Sequence, residues 1–344
     1  MAPLWFAPTI LALDGGIHEW GRVALFLVAV TIGMGVAELA GTYSDRDEDR
    51  LYGPTNPLVT GELDAGTARK ALIVQNIVAG SLGFALLLLT LNASLVIAMI
   101  VGWFVALSYS LPPFRFKETV AAPFFHGLGV ALLPIFAWLI VEPSLTAKNG
   151  FIIAFAAFLF LSSFGFAITT KFRKTLLAFS SGLIQVEPGA SVFDLSTVGL
   201  KLKVKTAIAL EGIATLGAFV LVPIFWHLGI FDMALSVALL ALALPFSVLA
   251  IVMRIKDPVK HGETSVWLLG LAWVFVILSL LAVAVASAIH WGFAILSCTL
   301  FLLVFSLFVR IVHPWGCKAP GGRKIATHEP LAFSVASGRD ISHK

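Results

Sequence analysis

The chain has 344 residues, 59% of them hydrophobic and only 12% charged, with a net charge of +4 and a mean hydropathy of +0.98. That is about half the charge of an ordinary soluble protein, which excludes a water-soluble globular domain and leaves an integral membrane protein. The apolar runs do not alternate with polar residues, which excludes a transmembrane barrel; the expected fold is an all-α bundle of membrane-spanning helices.

A spanning helix needs about 20 mostly apolar residues, and nine runs qualify: 21–44, 71–91, 93–112, 120–142, 150–170, 204–227, 232–254, 265–289 and 291–313. Residues 3–13 are apolar but too short to span, which predicts an interfacial segment over 1–20 ahead of a membrane domain over 21–313. No basic region with a cleavage site is visible at the start. Residues 314–344 are rich in Gly, Pro, Ser and Lys without apolar period and read as a cytoplasmic tail. Cys298 and Cys317 make no metal spacing.

Lys and Arg set the orientation. Arg46, Arg50, Arg69, Lys70, Arg115, Lys117, Lys171, Arg173, Lys174, Lys201, Lys203, Lys205, Arg254, Lys256 and Lys260 fall on one side of the nine spans. The other side has only Arg22 and Lys148. The expected localisation is the inner, cytoplasmic membrane with the N-terminus outside and the C-terminus cytoplasmic. Polar residues gather at the cytoplasmic face, and function is expected there. No nucleic-acid partner is expected.

The stretch from Asp45 to Leu63, "DRDEDRLYGPTNPLVTGEL", places six charges in its first six residues at the end of the first span. On a helix Glu38, Thr42, Asp45 and Asp49 share one face. Two carboxylates a turn apart can hold one Mg²⁺ whose remaining ligands are waters and phosphate oxygens. The plainer alternative is a solvated helix end that fixes topology. Glu38 lies deeper, where an unpaired carboxylate is costly; it either lines a pocket or hydrogen-bonds a neighbouring helix.

At the end of the third span, "YSLPPFRFK" runs from Tyr109 to Lys117. Its prolines stop the helix in a rigid turn. Arg115 and Lys117 are then two fixed cations near the acids, the pairing that a diphosphate requires. Positive-inside flanking is the alternative. His126 reads first as a packed histidine. Asn76 reads as polar glue between helices or as a pocket residue. Asp64 and Thr67 are N-cap types ahead of the second span.

These residues resemble the UbiA superfamily of intramembrane prenyltransferases. "GTYSDRDEDRLYGPTNPLVTG" (41–61) follows that family's first aspartate signature, with Asp45, Asp49, Pro57 and Gly61 in place. "YSLPPFRFK" is similar to its Tyr-Ser-x-Pro-Pro turn. The chlorophyll synthase branch looks nearest, on the Asp-Arg-x-x-Asp of 45–49 and "KDPVK" at 256–260. Residues 21–289 carry the likeness. The chain departs from the family at Gly41, where the family has Asn, and at Asn56, where it has Arg. It also has no second Asp-x-x-x-Asp before the sixth span. Glu187 and Asp194 are the only acids of that region, seven residues apart.

The resemblance implies a transferase that moves a polyprenyl group from its diphosphate to an electron-rich or lipid-like hydrophobic acceptor in the membrane lipid, with Mg²⁺ as cofactor. It implies Asp45 and Asp49 as metal ligands, with Glu187 and Asp194 as candidates for a second metal. Arg115, Lys117, Lys171 and Lys174 would bind the diphosphate, and Tyr109 would face the allylic cation. Two other readings are open: a terpene cyclase of the same superfamily, and a non-catalytic membrane protein on an eroded scaffold. A transporter is disfavoured, because its polar residues would lie at mid-membrane.

Overall fold

Long runs of Leu, Ile, Val, Ala and Phe have no water to satisfy their backbone in a bilayer, so they close their hydrogen bonds internally as helices. The computed structural model describes residues 20–46, 49, 56–119, 121–141, 150–180, 204–257 and 261–287, and these contain helices and no strand. In chain order they are α1 (Trp20–Ser44), α2 (Pro57–Thr60), α3 (Ala65–Thr90), α4 (Ala93–Ser110), α5 (Ala122–Val141), α6 (Gly150–Ser180), α7 (Val204–His227), α8 (Met233–Ala238), α9 (Leu244–Lys256) and α10 (Gly262–Ser287). A single π-helical turn, Leu239–Ala243, joins α8 to α9. Eight of these stretches among the described residues are long and apolar enough to cross a membrane, counting α8 to α9 as one. The expected interfacial segment, the ninth span and the tail lie outside the described residues.

Two helices outrun the apolar segments that announce them. α3 starts at Ala65 because Asp64 caps it, its carboxylate accepting from Thr67 N at 2.8 Å. That hydrogen bond holds the Asp64 carboxyl below its ordinary range. α6 continues to Ser180, well beyond the expected limit at 170. Hydropathy marks where lipid ends; capping marks where a helix ends.

Neighbours in sequence pack as neighbours in space: α5 on α6, α6 on α7, α9 on α10, and α1 on α3. Close approach depends on small residues. A Cβ on Gly127 of α5 would lie 2.8 Å from the backbone oxygen of Phe160 in α6, so only glycine permits this spacing.

The apolar interior is divided. The main core joins Phe26 and Ala29 of α1 to Leu95 of α4, Phe155 and Phe158 of α6, Val222 of α7 and Leu280 and Leu281 of α10. Ten residues further along α1 the partners change. Val36 and Ala40 belong to a separate small cluster with Leu72 of α3, backed by Leu107 and Leu111. At the end that carries the acids the apolar contacts of α1 form a cluster of their own among the described residues.

Candidate functional site

The helical hydrogen bonding of α1 runs past Ser44. Asp45 N donates to Gly41 O at 2.8 Å and Asp49 N to Asp45 O at 2.7 Å, so the two carboxylates lie one turn apart on one face. The chain from α4 returns to the same place. After Ser110 the two prolines are followed by Arg115, which adopts a left-handed conformation (φ 44°). A short 3₁₀ turn follows over Phe116–Glu118. This turn drives the Lys117 ammonium into the end of α1. There it is paired with Asp45 Oδ1 and donates to the Ser44 hydroxyl, with only 4% of the residue exposed. The Arg115 guanidinium donates to Ser44 O at 3.2 Å. Residues 72 positions apart thus form one constellation of two carboxylates and two cations.

Phenylalanines brace the turn. Phe116 stacks on Phe125 of α5 with ring centroids 3.9 Å apart, and Phe114 stacks on Phe116 at 5.4 Å. A buried charge is tolerable when its hydrogen bonds are made and its position is fixed, and this aromatic packing supplies the fixing for Lys117.

Asn56 also belongs to the site. Its amide nitrogen donates to Thr42 O at 2.8 Å and to Asp49 Oδ2 at 3.0 Å, while its oxygen accepts from Leu58 N and caps α2. It is buried, with Gly61 (φ 77°) closing the turn of α2 behind it. The sequence reading treated Asn56 only as a departure from the family's arginine. In the fold it is a strut that orients Asp49. At Gly41, where the family has Asn, a Cβ would lie 3.9 Å from the Ser110 hydroxyl, so that position faces the end of α4.

Of the other residues singled out, Tyr109 lies with its ring 6.4 Å from that of His126. Asn76 donates to Leu72 O at 2.8 Å and accepts from Trp103 Nε1 at 3.3 Å, joining α3 to α4. Glu38 is exposed along α1. Lys171 and Lys174 fall on the last turns of α6. Glu187 and Asp194 lie outside the described residues.

One charged group was missed. Arg254, taken as a loop-side cation, is 1% exposed and pairs with Glu211 of α7, itself fully buried. Arg254 also donates to Thr169 Oγ1 of α6 at 2.9 Å and to Ser265 Oγ of α10 at 2.8 Å, and Thr169 donates to Glu211 Oε1 at 2.6 Å. The signal was a lone acid inside an otherwise apolar span, which marks a buried partner.

The donor set suits magnesium. Asp45 and Asp49 offer hard oxygens at one-turn spacing, and Mg²⁺ takes one or two carboxylates and completes its shell with waters and phosphate oxygens. No cluster of three or more His, Cys, Asp or Glu exists among the described residues. The adjacent Lys117 and Arg115 are the counter-charges that phosphate oxygens require.

A helical membrane bundle of this kind is the architecture that comparison with known proteins recovers. The sequence pattern of the UbiA prenyltransferase family matches residues 1–264, and the chain belongs to that family. Its fold is similar to a digeranylgeranylglyceryl phosphate synthase studied in membranes, at 16% identity and a TM-score of 0.60, covering 82% of this chain and 92% of that one. It is similar to a UbiA homologue from Archaeoglobus fulgidus bound to DMAPP and Mg²⁺, at 18% identity and a TM-score of 0.52, covering 80% and 96%. The same homologue bound to GPP and Mg²⁺ matches equally. No curated protein sequence matches the chain.

Proposed function

We propose that this protein is a Mg²⁺-dependent intramembrane prenyltransferase. It moves a polyprenyl group from its diphosphate to a hydrophobic, electron-rich acceptor and releases diphosphate. The observation that carries this reading is the convergence of Lys117 and Arg115 on the Asp45–Asp49 turn. The homologue structures that hold a prenyl diphosphate with Mg²⁺ support it.

Asp45 and Asp49 hold the metal, with Asn56 fixing the second carboxylate. A bound Mg²⁺ supplies Lewis acidity at the diphosphate. Lys117 and Arg115 take the charge that accumulates as the C–O bond breaks, and Lys171 and Lys174 add to it from the end of α6. Tyr109 offers an aromatic face to the allylic cation. The lipid-embedded bundle keeps water from that cation. Glu187 and Asp194 serve a second metal position. Within the family we place the chain nearest the chlorophyll synthase branch, on its Asp-Arg-x-x-Asp and "KDPVK" sequences. The site faces the cytoplasm by the distribution of Lys and Arg.

The test is diphosphate release by purified protein in nanodiscs given geranylgeranyl or farnesyl diphosphate, with and without Mg²⁺, the organic products being weighed by mass spectrometry. Mg²⁺-dependent release is expected. Asp45→Asn combined with Asp49→Asn should reduce it at least about a hundredfold, and Glu187→Ala and Asp194→Ala should each reduce it to a similar degree. A product isomeric with the donor's hydrocarbon would mark a cyclase. No release with either donor, even with membrane lipid extract as acceptor, would mark a non-catalytic protein.

A further inference from the structure

Along α1 the apolar partners change from the main core at Phe26 and Ala29 to the small cluster of Val36, Ala40 and Leu72. The face of α1 opposite Val36 and Ala40 carries Thr31, Glu38, Thr42, Asp45 and Asp49, all within one stripe. Thr31 and Glu38 are exposed, and the other three are partly so. Thr31 satisfies its hydroxyl on Leu27 O at 2.7 Å. Glu38 has no polar partner among the described residues. A carboxylate within a membrane span does not face hydrocarbon; it faces protein or a polar chamber. The stripe therefore faces protein or a polar chamber, with the diphosphate grip at one end and Glu38 further along the same face. Seven residues of helix set Glu38 about 10 Å further into the span than Asp45, on the same face.

We propose that Glu38 is the residue that meets the acceptor and takes its proton. The role rests on the prenyl-transfer reading above. In the step, the donor's C1–O bond breaks and the diphosphate leaves with its electron pair. C1 bonds to the nucleophilic atom of the acceptor, and the hydrogen that atom or its conjugated hydroxyl carried passes to a Glu38 carboxylate oxygen. The acceptor chemistry this selects is an acidic X–H, such as a phenol, an enol or a hydroxyl. A substrate with no proton to lose would have no use for Glu38.

The experiment compares wild type, Glu38→Gln and Glu38→Asp in nanodiscs, with tritiated geranylgeranyl diphosphate as donor and a total membrane extract as acceptor pool. Donor binding, diphosphate release and transfer to the organic phase are read separately, across pH. Glu38→Gln should keep donor affinity within about twofold and lose transfer about a hundredfold, with the acid limb of the pH profile gone. Glu38→Asp should recover part of the transfer and restore that limb. Transfer by Glu38→Gln at the wild-type rate and pH profile would overturn the role while leaving the transferase reading intact. Loss of donor affinity in Glu38→Gln would also overturn it, by placing Glu38 at the donor. Wild-type protein that neither binds donor nor releases diphosphate would overturn the transferase reading and this role with it.

Discussion

Asn56 shows how one side chain can hold a site together. Its amide spends both of its donor and acceptor functions inside the protein: on Thr42 O, on Asp49 and on the first turn of α2. Asn56→Ala would leave a buried carbonyl and a capless turn, at a cost of about 1–3 kcal/mol. The larger effect should fall on Asp49, whose carboxylate loses its fixed orientation. The expected outcome is a higher Mg²⁺ requirement for diphosphate release with little change at saturating Mg²⁺, measured by titrating the metal. An arginine at this position, as in the family signature, would bring a charge where the chain uses a neutral amide. The sequence could not reveal this substitution of roles, because a departure from a motif does not disclose which new hydrogen bonds replace the old.

Helices α6, α7, α9 and α10 meet at the Glu211–Arg254 pair. Each contributes one side chain: Thr169, Glu211, Arg254 and Ser265. A buried pair is costly to break and cheap to replace as a unit. Glu211→Gln or Arg254→Met alone should destabilise the protein by about 3–5 kcal/mol. Glu211→Leu combined with Arg254→Met should recover most of that loss, because no charge is then stranded. Thermal unfolding in nanodiscs checks both; equal loss in the single and double variants would show that the pair contributes attraction beyond its own desolvation. Local reading missed this element because Arg254 ends an apolar run, where an arginine ordinarily marks the membrane surface. Its partner lies 43 residues away, and only packing brings them together.

At the scale of the whole molecule, the positions of the spans were legible because hydropathy is a property of each segment alone. The seven expected spans that follow the first coincide with α3 to α10, and the ninth lies outside the described residues; α3 and α6 extend beyond their expected limits through polar sequence at 65–70 and 171–174. The meeting of Asp45 with Lys117 was legible only as two motifs of matching chemistry. What could not be read was the division of the apolar core, since every leucine along α1 looks alike until its neighbours are known. The orientation, inferred from Lys and Arg, has its own test. In a Cys298→Ser, Cys317→Ser background, Glu62→Cys should resist a membrane-impermeant maleimide in intact cells, and Leu228→Cys should react. Both positions are exposed in the fold, so the opposite pattern would mean the bundle is inserted the other way round.

The Lys117 ammonium already occupies Asp45 Oδ1. A divalent ion that claims that oxygen competes with the lysine, and on its own gains less than two free aspartates would offer. A phosphate group changes the exchange, because it gives the displaced ammonium a new anion to join. Metal and donor should therefore each raise the other's affinity, and linkage makes the two increments equal. The lysine would act as a lock opened only when both arrive, which spares the membrane a bare cation site and keeps the reactive ester from being engaged without its metal.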